Sequence, residues 1–201
     1  MANLPPTKGN LIAVKRSREL AENGFDLMDK KRNILIRELM SLIDSAAELQ
    51  NRIDATFSEA YRAIRAANIS MGGCEDIAAA MPVDNSVKVR YRSVMGVELP
   101  TVSAAPINTD VLPYGFLGTT SELDDAYKKF SKVKALTLEM AELENSIYRL
   151  AYYIKKAQKR ANALHNIVIP DLEQDIVRIS EELEEKEREE FVRLKVIKAK
   201  K

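Results

Sequence analysis

Residues 25–49, FDLMDKKRNILIRELMSLIDSAAEL, place apolar side chains at alternating steps of three and four residues. The spacing continues in both directions without a phase correction, and fourteen of its seventeen positions are apolar. A period of 3.5 residues is typical of a coiled-coil seam, because slightly underwound helices keep one stripe on their partner. We therefore predict one long N-terminal helix that packs along its length. The seam is Leu11, Val14, Arg18, Ala21, Phe25, Met28, Arg32, Leu35, Leu39, Leu42, Ala46, Leu49, Ile53, Thr56, Ala60, Ala63 and Ala67.

A second seam lies in the C-terminal third of the chain. It begins with Leu123, Ala126, Phe130 and Val133, and its regular part is Met140, Leu143, Ile147, Leu150, Ile154, Ala157, Ala161, Leu164 and Val168. After Val168 it moves by fours through Leu172 and Ile176, which is a stutter that locally unwinds a supercoil, and then by three and four to Ile179 and Leu183. The stutter coincides with Pro170, which lacks a backbone N–H and crowds the preceding turn. We predict a bend near Pro170 rather than the end of the helix.

The middle of the chain differs in composition from both ends. Nine of the fourteen glycines and prolines fall between residues 68 and 122, where long helices are therefore not expected. Within this segment VKVRYRSVMGVELPTV alternates apolar and basic residues around Gly96, a pattern that predicts a β-hairpin near residues 86–102 with Pro100 on an edge strand. An isolated hairpin is marginal in water, so the helices or a partner must cover its apolar residues. Those residues are Val87, Val89, Tyr91, Val97 and Leu99.

These patterns predict a mainly α fold: a long antiparallel two-helix coiled-coil hairpin with an irregular middle segment that contains a short β-hairpin. The predicted divisions are residues 1–67, 68–122 and 123–201. In an antiparallel pair, contacting residues would have numbers that add to about 190, and the C-terminal helix would overhang the N-terminus by about a dozen residues. A parallel homodimer of each helix is the alternative. A side stripe of Leu20, Leu27, Ile34, Ile36 and Ile43 predicts a third packed element.

The sequence contains no phosphate-binding loop, metalloprotease motif or nucleophile elbow, so we expect no catalytic, cofactor-binding or metal-binding residues and no enzyme activity of the chain alone. His165 is predicted on a helix surface, and Cys74, the single cysteine, as a small packed residue. The carboxylates between residues 181 and 190 predict a solvated helix face rather than a metal site, because three of them have basic partners four residues on. The expected pairs are Glu182 with Lys186, Glu184 with Arg188 and Glu189 with Arg193.

Charge separates towards the ends of the chain although the total is only +1. A balanced chain argues against a general nucleic-acid binder, and one cysteine without an apolar leader or membrane span predicts a cytosolic protein. Residues 1–18 and 191–201 contain no acid, and the antiparallel fold would bring them to one end. This predicted basic tip would bind a partner, nucleic acid or anionic lipid, or be an ordinary solvated terminus. Its candidate residues are Arg16, Arg18, Arg193, Lys195 and Lys198.

Several segments resemble the D subunit of the V-type and archaeal-type rotary ATPases. The N-terminal match comprises Pro6, Thr7, Lys8, Leu11, Lys15, Leu20, Ala21, Gly24, Leu27, Met28, Lys31, Arg32 and Leu35. The middle match is GVELP at residues 96–100, and the C-terminal matches are RANAL at 160–164, Ile169 with Pro170, LEEKERE at 183–189 and RLK at 193–195. Asp29, Asn33 and His165 depart from the family pattern. In order, the matches cover nearly the whole chain.

The resemblance implies a non-catalytic rotor shaft, part of the central stalk, that couples ATP hydrolysis or synthesis to H⁺ or Na⁺ transport. Its expected partners are the catalytic and nucleotide-binding subunits of the hexamer, the F subunit, and the funnel-like subunit on the membrane rotor ring. The basic tip would then lie in the hexamer bore and the β-hairpin towards the F subunit or the rotor base, at the cytoplasmic face of the membrane. The alternatives are a structural coiled-coil adaptor, such as a stalk component of a secretion ATPase, and an enzyme or nucleic-acid-binding arm.

Overall fold

The computed structural model describes residues 4–105, 112–115 and 117–199. The fold is mainly α with one small hairpin, as predicted. The elements are α1 (Lys8–Met71), α2 (Glu75–Ala80), β1 (Lys88–Val94), β2 (Val97–Ser103), α3 (Ser121–Ala163), a π-helical turn (Leu164–Val168) and α4 (Ile169–Ala199). The chain divides into two compact units, one formed by Met1–Ile34 with Ile154–Lys201 and the other by Leu35–Tyr153.

The two predicted seams are the packed faces of the long helices. None of the seventeen seam positions in α1 is exposed, and the same is true of the seam positions from Leu123 to Leu183. Leu35, Leu150 and Ile179 are fully buried. A buried leucine of this kind contributes about 1.5–3 kcal/mol through the apolar surface it removes from water. The apolar periodicity therefore identifies which face of each helix is packed.

In the first unit, the N-terminal half of α1 runs antiparallel to the helix that contains the π turn. The Phe25 and His165 rings have centroids 5.1 Å apart, and Lys8 Nζ lies 2.8 Å from Glu187 Oε1. The Phe25 contact has the predicted register, in which residue 25 lies opposite residue 165. The helices of one chain thus pair with each other in the antiparallel sense.

A π-helical turn precedes Pro170. The Ile169 N–H donates to the Leu164 carbonyl, five residues back, so the turn holds one more residue than an α turn. The helix continues through Pro170 to Ala199, as predicted. The wide turn lies next to the stutter of the seam. Because it holds one extra residue, the apolar residues after it still face α1, whereas in a regular α-helix they would be rotated away. The sequence points to Pro170 itself, whereas the irregular hydrogen bonding begins one turn earlier.

In the second unit, the C-terminal half of α1 runs antiparallel to the first part of α3. The Tyr61 and Phe130 rings meet edge to face at 5.9 Å between centroids, and the Ser70 and Thr120 hydroxyls lie 3.2 Å apart. The predicted register places residue 70 opposite residue 120. Cys74 is 8% exposed and packs with Ala67 and Leu123, which confirms its role as a small packed residue.

The hairpin also belongs to the second unit. β1 and β2 are antiparallel, with Lys88 opposite Ser103 and Val94 opposite Val97. Met95 and Gly96 both have positive φ, at 51° and 75°. A two-residue turn of this kind matches the right-handed twist of the strands, and glycine adopts it without a steric cost. The predicted hairpin is present, one or two residues C-terminal to its expected bounds.

The side stripe of α1 does not meet a third element within the described residues. Leu20, Leu27, Ile34 and Ile43 are exposed and Ile36 is half-buried, so the prediction of a further packed element is wrong for this part of the chain. The predicted loop APINTDVLPYGFLGTT falls partly on residues 106–111 and 116, which lie outside the described residues.

Candidate partner-binding surfaces

The last part of α4 extends beyond its contacts with α1. The Lys8–Glu187 ion pair joins the first residue of α1 to α4, and α4 continues for twelve further residues to Ala199. Every residue from 184 to 199 is exposed. We call residues 188–199 the C-terminal extension. Its length agrees with the predicted overhang, and its side chains are not covered by the described part of the chain.

The C-terminal extension is apolar on several sides. Successive residues of an α-helix turn by about 100°, so a run of neighbouring apolar residues is spread around the axis instead of forming one stripe. The exposed apolar residues are Phe191, Val192, Leu194, Val196 and Ile197, each between 50% and 65% exposed. Exposed apolar side chains on several sides of a helix are typically covered by other protein.

Basic residues alternate with these apolar ones. Arg193, Lys195 and Lys198 are exposed on the C-terminal extension. Arg193 is bonded to Glu189, at 3.2 Å, and Lys195 Nζ lies 5.0 Å from the centroid of the Phe191 ring. Both contacts lie within one helix and leave the charges accessible. Surface pairs of this kind add little to stability, so these cations remain available to a partner.

The other two candidate cations lie on α1, away from the C-terminal extension. Arg16 is exposed, but Arg18 is half-buried between Glu22, at 2.8 Å, and Glu173, at 3.4 Å. Glu173 lies twenty positions before Arg193, which is about 30 Å along a helix. The five residues of the predicted basic tip therefore do not form one cluster. Arg18 joins α1 to α4, while Arg193, Lys195 and Lys198 form a basic group further out.

The acidic residues before the extension pair largely as predicted. Arg188 contacts Glu184 at 3.7 Å, and Arg193 contacts Glu189. Glu182 instead binds Arg178, at 3.3 Å, so its predicted pairing with Lys186 is not observed. The hydrogen bond between Lys8 and Glu187 raises the pKa of Lys8 and lowers the pKa of Glu187. These pairs belong to a solvated helix face.

The second candidate surface is the hairpin, in which β2 is bound to side chains of α3. Val97 and Leu99 on β2 are fully buried. The Val102 N–H donates to Glu142 Oε2 at 2.7 Å, and Arg149 Nη1 donates to the Glu98 carbonyl at 3.0 Å. Two side chains of α3 thus satisfy backbone groups along the outer edge of β2. This half of the hairpin is therefore buried, as its apolar residues require, and is held by α3.

Most of β1 is exposed, and so is Val87 just before it. Val87, Val89 and Tyr91 are 39%, 52% and 58% exposed. Tyr91 meets the Arg149 guanidinium on one side, with 5.1 Å from its carbon to the ring centroid, and the neighbouring Arg92 reaches Glu38 on α1 at 3.4 Å. The five predicted apolar residues therefore separate into a buried pair and an exposed group of three. The sequence did not reveal Glu38, Glu142 or Arg149, because nothing local distinguishes them from other charged residues flanking a seam.

His165 lies on the exposed side of the π turn, where its Nδ1 donates to Asn166 Oδ1 at 2.7 Å. Within residues 4–105, 112–115 and 117–199, no three His, Cys, Asp or Glu side chains are grouped so that they could hold a metal ion. Among the helices described, none combines the length and hydropathy needed to cross a membrane.

The antiparallel helix pairs, the exposed C-terminal extension and the anchored hairpin define a coiled-coil protein with two surfaces open to partners. Its sequence relatives agree on one family. A family model for the ATP synthase D subunit matches residues 10–199. The V-type ATP synthase D subunit of Thermotoga neapolitana is 43% identical over 200 residues, covering 98% of each chain. The A-type ATP synthase D subunits of Pyrococcus horikoshii and Methanosphaera stadtmanae are 34% and 35% identical, covering 98% and 96% of this chain and 94% and 92% of theirs. The chain belongs to the ATP synthase D subunit family.

Proposed function

We propose that this chain is the central rotor shaft of a V/A-type ATP synthase or ion-pumping ATPase. In this role it carries out no chemistry itself. It couples ATP hydrolysis or synthesis in a hexamer of catalytic and nucleotide-binding subunits to rotation of a membrane ring that transports H⁺ or Na⁺. The names of its relatives support membership of such a complex, and the helix pairing supports a part that transmits torque.

The observation that carries the proposal is the C-terminal extension. Beyond its contacts with α1, this helix exposes five large apolar side chains around its axis. Their contact with water is unfavourable in free energy, so burial by a partner would be favourable. A collar of protein would bury all of them together, whereas one flat partner surface would reach only one side. The bore of a hexamer is such a collar, and Arg193, Lys195 and Lys198 would face its lining.

The same feature supplies the asymmetry that coupling requires. One off-centre helix cannot make identical contacts with three equivalent catalytic interfaces, so each orientation of the shaft stabilises a different set of their conformations. Linkage then requires that nucleotide binding at those interfaces reciprocally favours particular shaft orientations. Rotation and nucleotide chemistry are coupled in this way without any reactive group on the shaft.

The hairpin would contact other subunits of the complex. With β2 fixed to α3, the exposed residues Val87, Val89 and Tyr91 are held in a defined position for contact with the F subunit or with the funnel-like subunit on the rotor ring. Arg16 lies outside the C-terminal extension and would contact the hexamer nearer the paired helices. We place the assembled complex at the cytoplasmic face of the membrane.

The test is truncation in the assembled complex. Removal of residues 191–201 should leave helix content and assembly intact but lower ATP-driven ion transport per ATP hydrolysed. A matched control replaces Leu20 and Leu27, two of the exposed apolar residues of α1, with alanine. Equal coupling in the truncated and full-length complexes would refute the assignment of the extension to the bore. Failure of the chain to copurify with large ATPase subunits would refute the rotor proposal itself.

A further inference from the structure

We infer that the outer edge of β1 is a docking site for an extended acidic segment of a partner protein, which adds to the hairpin as a third strand. The inference rests on the proposed function only in assuming that a partner reaches the hairpin. It specifies the mode of binding and the chemistry of that partner.

The two edges of the hairpin differ. In an antiparallel pair, residues alternate between those bonded to the opposite strand and those whose N–H and C=O point away. Val102 and Glu98 use their outward groups to bind Glu142 and Arg149 on α3, so the outer edge of β2 is occupied. Their cross-strand partners on β1 are Val89 and Ser93. These two residues, with Tyr91 between them, therefore direct their backbone groups to the outer edge of β1.

That outer edge is open in the described chain. Among residues 4–105, 112–115 and 117–199, β1 pairs only with β2, and no backbone hydrogen bond outside that pairing involves Val89, Tyr91 or Ser93. The side chains of all three are exposed. An open edge of this length is a template for strand addition, in which main-chain hydrogen bonds provide affinity and alternate side chains provide specificity.

The basic residues of β1 indicate that the added strand is acidic. Lys88, Arg90 and Arg92 alternate along β1 and so share one face of the sheet. Among the described residues, Arg92 has one long contact with Glu38, while Lys88 and Arg90 form no ion pair. An added strand would place its alternate residues beside these cations, where opposite charges stabilise and like charges destabilise. A second copy of β1 would bring basic residues against basic residues, so the site disfavours self-association and favours a segment with acidic residues at every second position.

Pro100 shows how the edge can be tested without damage to the hairpin. It lies opposite Tyr91, at a position that needs no ladder N–H, and the strand tolerates it. Proline at Val89 or Ser93 would likewise remove only an outward N–H of β1. Arg90→Pro is the contrasting variant, because Arg90 belongs to the bonded set and its loss should disrupt the ladder.

The probe is a nine-residue peptide in which glutamate alternates with valine or threonine, and its control is the same peptide with lysine in place of glutamate. Amide exchange of the isolated full-length chain is followed by NMR. We expect fast exchange at Val89, Tyr91 and Ser93 in the free chain, protection of these three amides by the glutamate peptide, and none by the lysine peptide. The Val89→Pro and Ser93→Pro variants should retain the β1–β2 ladder and bind the peptide at least roughly fivefold more weakly.

Charge reversal completes the test. Lys88→Glu with Arg90→Glu should exchange the preferences, so that the lysine peptide binds and the glutamate peptide does not. Protection of the three amides in the free chain, or its appearance on raising the protein concentration, would overturn the inference in favour of a segment of the same chain or a second copy. Absence of peptide-induced protection, or equal binding by the proline variants, would also overturn it. None of these results depends on rotation. They therefore test the docking site separately from the proposed rotor function.

Discussion

Gly24 on α1 lies directly against Leu164, the first residue of the π turn. A Cβ built on the glycine would lie 3.7 Å from Leu164 Cδ1, which is ordinary van der Waals contact. The glycine therefore allows close approach of the two helices but is not required for it. A methyl group would fit, whereas a longer side chain would meet Leu164.

Gly24→Ala should stabilise the chain. Alanine loses less backbone freedom on folding than glycine and has the higher helix propensity, so the free energy of unfolding should rise by about 0.5–1 kcal/mol. Urea denaturation followed by circular dichroism measures the change. Gly24→Leu is the control, and it should destabilise because Leu164 must move. A less stable alanine variant would show that the helices cannot accept the methyl group.

Leu150→Ala should be costly, because this seam residue is fully buried. Deleting such a side chain leaves a cavity and lowers the free energy of unfolding by about 2–5 kcal/mol. Leu20→Ala changes the same residue type at a position that is 73% exposed, and its effect should stay within about 0.5 kcal/mol. Similar losses at the two positions in urea denaturation would contradict the seam assignment.

The π turn should tolerate removal of one residue. Deleting Asn166, with Pro170→Ala to restore the missing N–H, should convert the wide turn to an α turn and keep α4 in register on α1. Deleting exposed Gln158 from regular α3 in the same background would rotate the following seam by about 100°. Thermal denaturation should show a small change for the first deletion and a large one for the second. A larger destabilisation by the Asn166 deletion than by the Gln158 deletion would mean that the π turn does not hold the extra residue of the stutter.

Asp84 should make stability fall in acid. Its carboxylate accepts hydrogen bonds from Lys134 and Ser86, which lower its pKa to about 2 from an ordinary value of 3.8. As pH falls, the unfolded chain binds this proton first, so the stabilisation present above the ordinary pKa is lost as pH approaches about 2. Asp84→Asn should flatten the pH dependence of the free energy of unfolding in this window. Asp44→Asn, at an exposed acid without an ion pair in the described chain, is the control, and equal flattening by both would contradict the assignment.

The sequence predicted the features that depend on local periodicity. The seam positions, the helix that continues through Pro170 and the Met95–Gly96 turn all follow from side-chain spacing or backbone preference over a few residues. The register of Phe25 opposite His165 follows from the two seams and the lengths of chain between them. Neighbouring residues determine the seams and the turn, and the register then follows from the positions of the two seams along the chain.

Features that depend on distant residues could not be predicted in the same way. Both strands of the hairpin carry apolar residues, but the fully buried ones are on β2, which is also the strand whose backbone binds Glu142 and Arg149, about 40 to 50 residues away. The seam shows that the apolar spacing contains one extra residue near Val168. Either an altered supercoil or a π turn could accommodate it, and the sequence does not distinguish the two. Arg18 resembles the other terminal cations in sequence, and only the pairing of the helices places it beside Glu173.

The proposed rotor function requires that this chain rotate within its complex. Cys74 is buried, so replacing it with alanine and introducing Ala79→Cys, at an exposed position on α2, gives a single site for a bead. With the hexamer immobilised and ATP supplied, the rotor account predicts unidirectional rotation of the bead that stops when ATP is removed. A stationary bead on a complex that continues to hydrolyse ATP would contradict it.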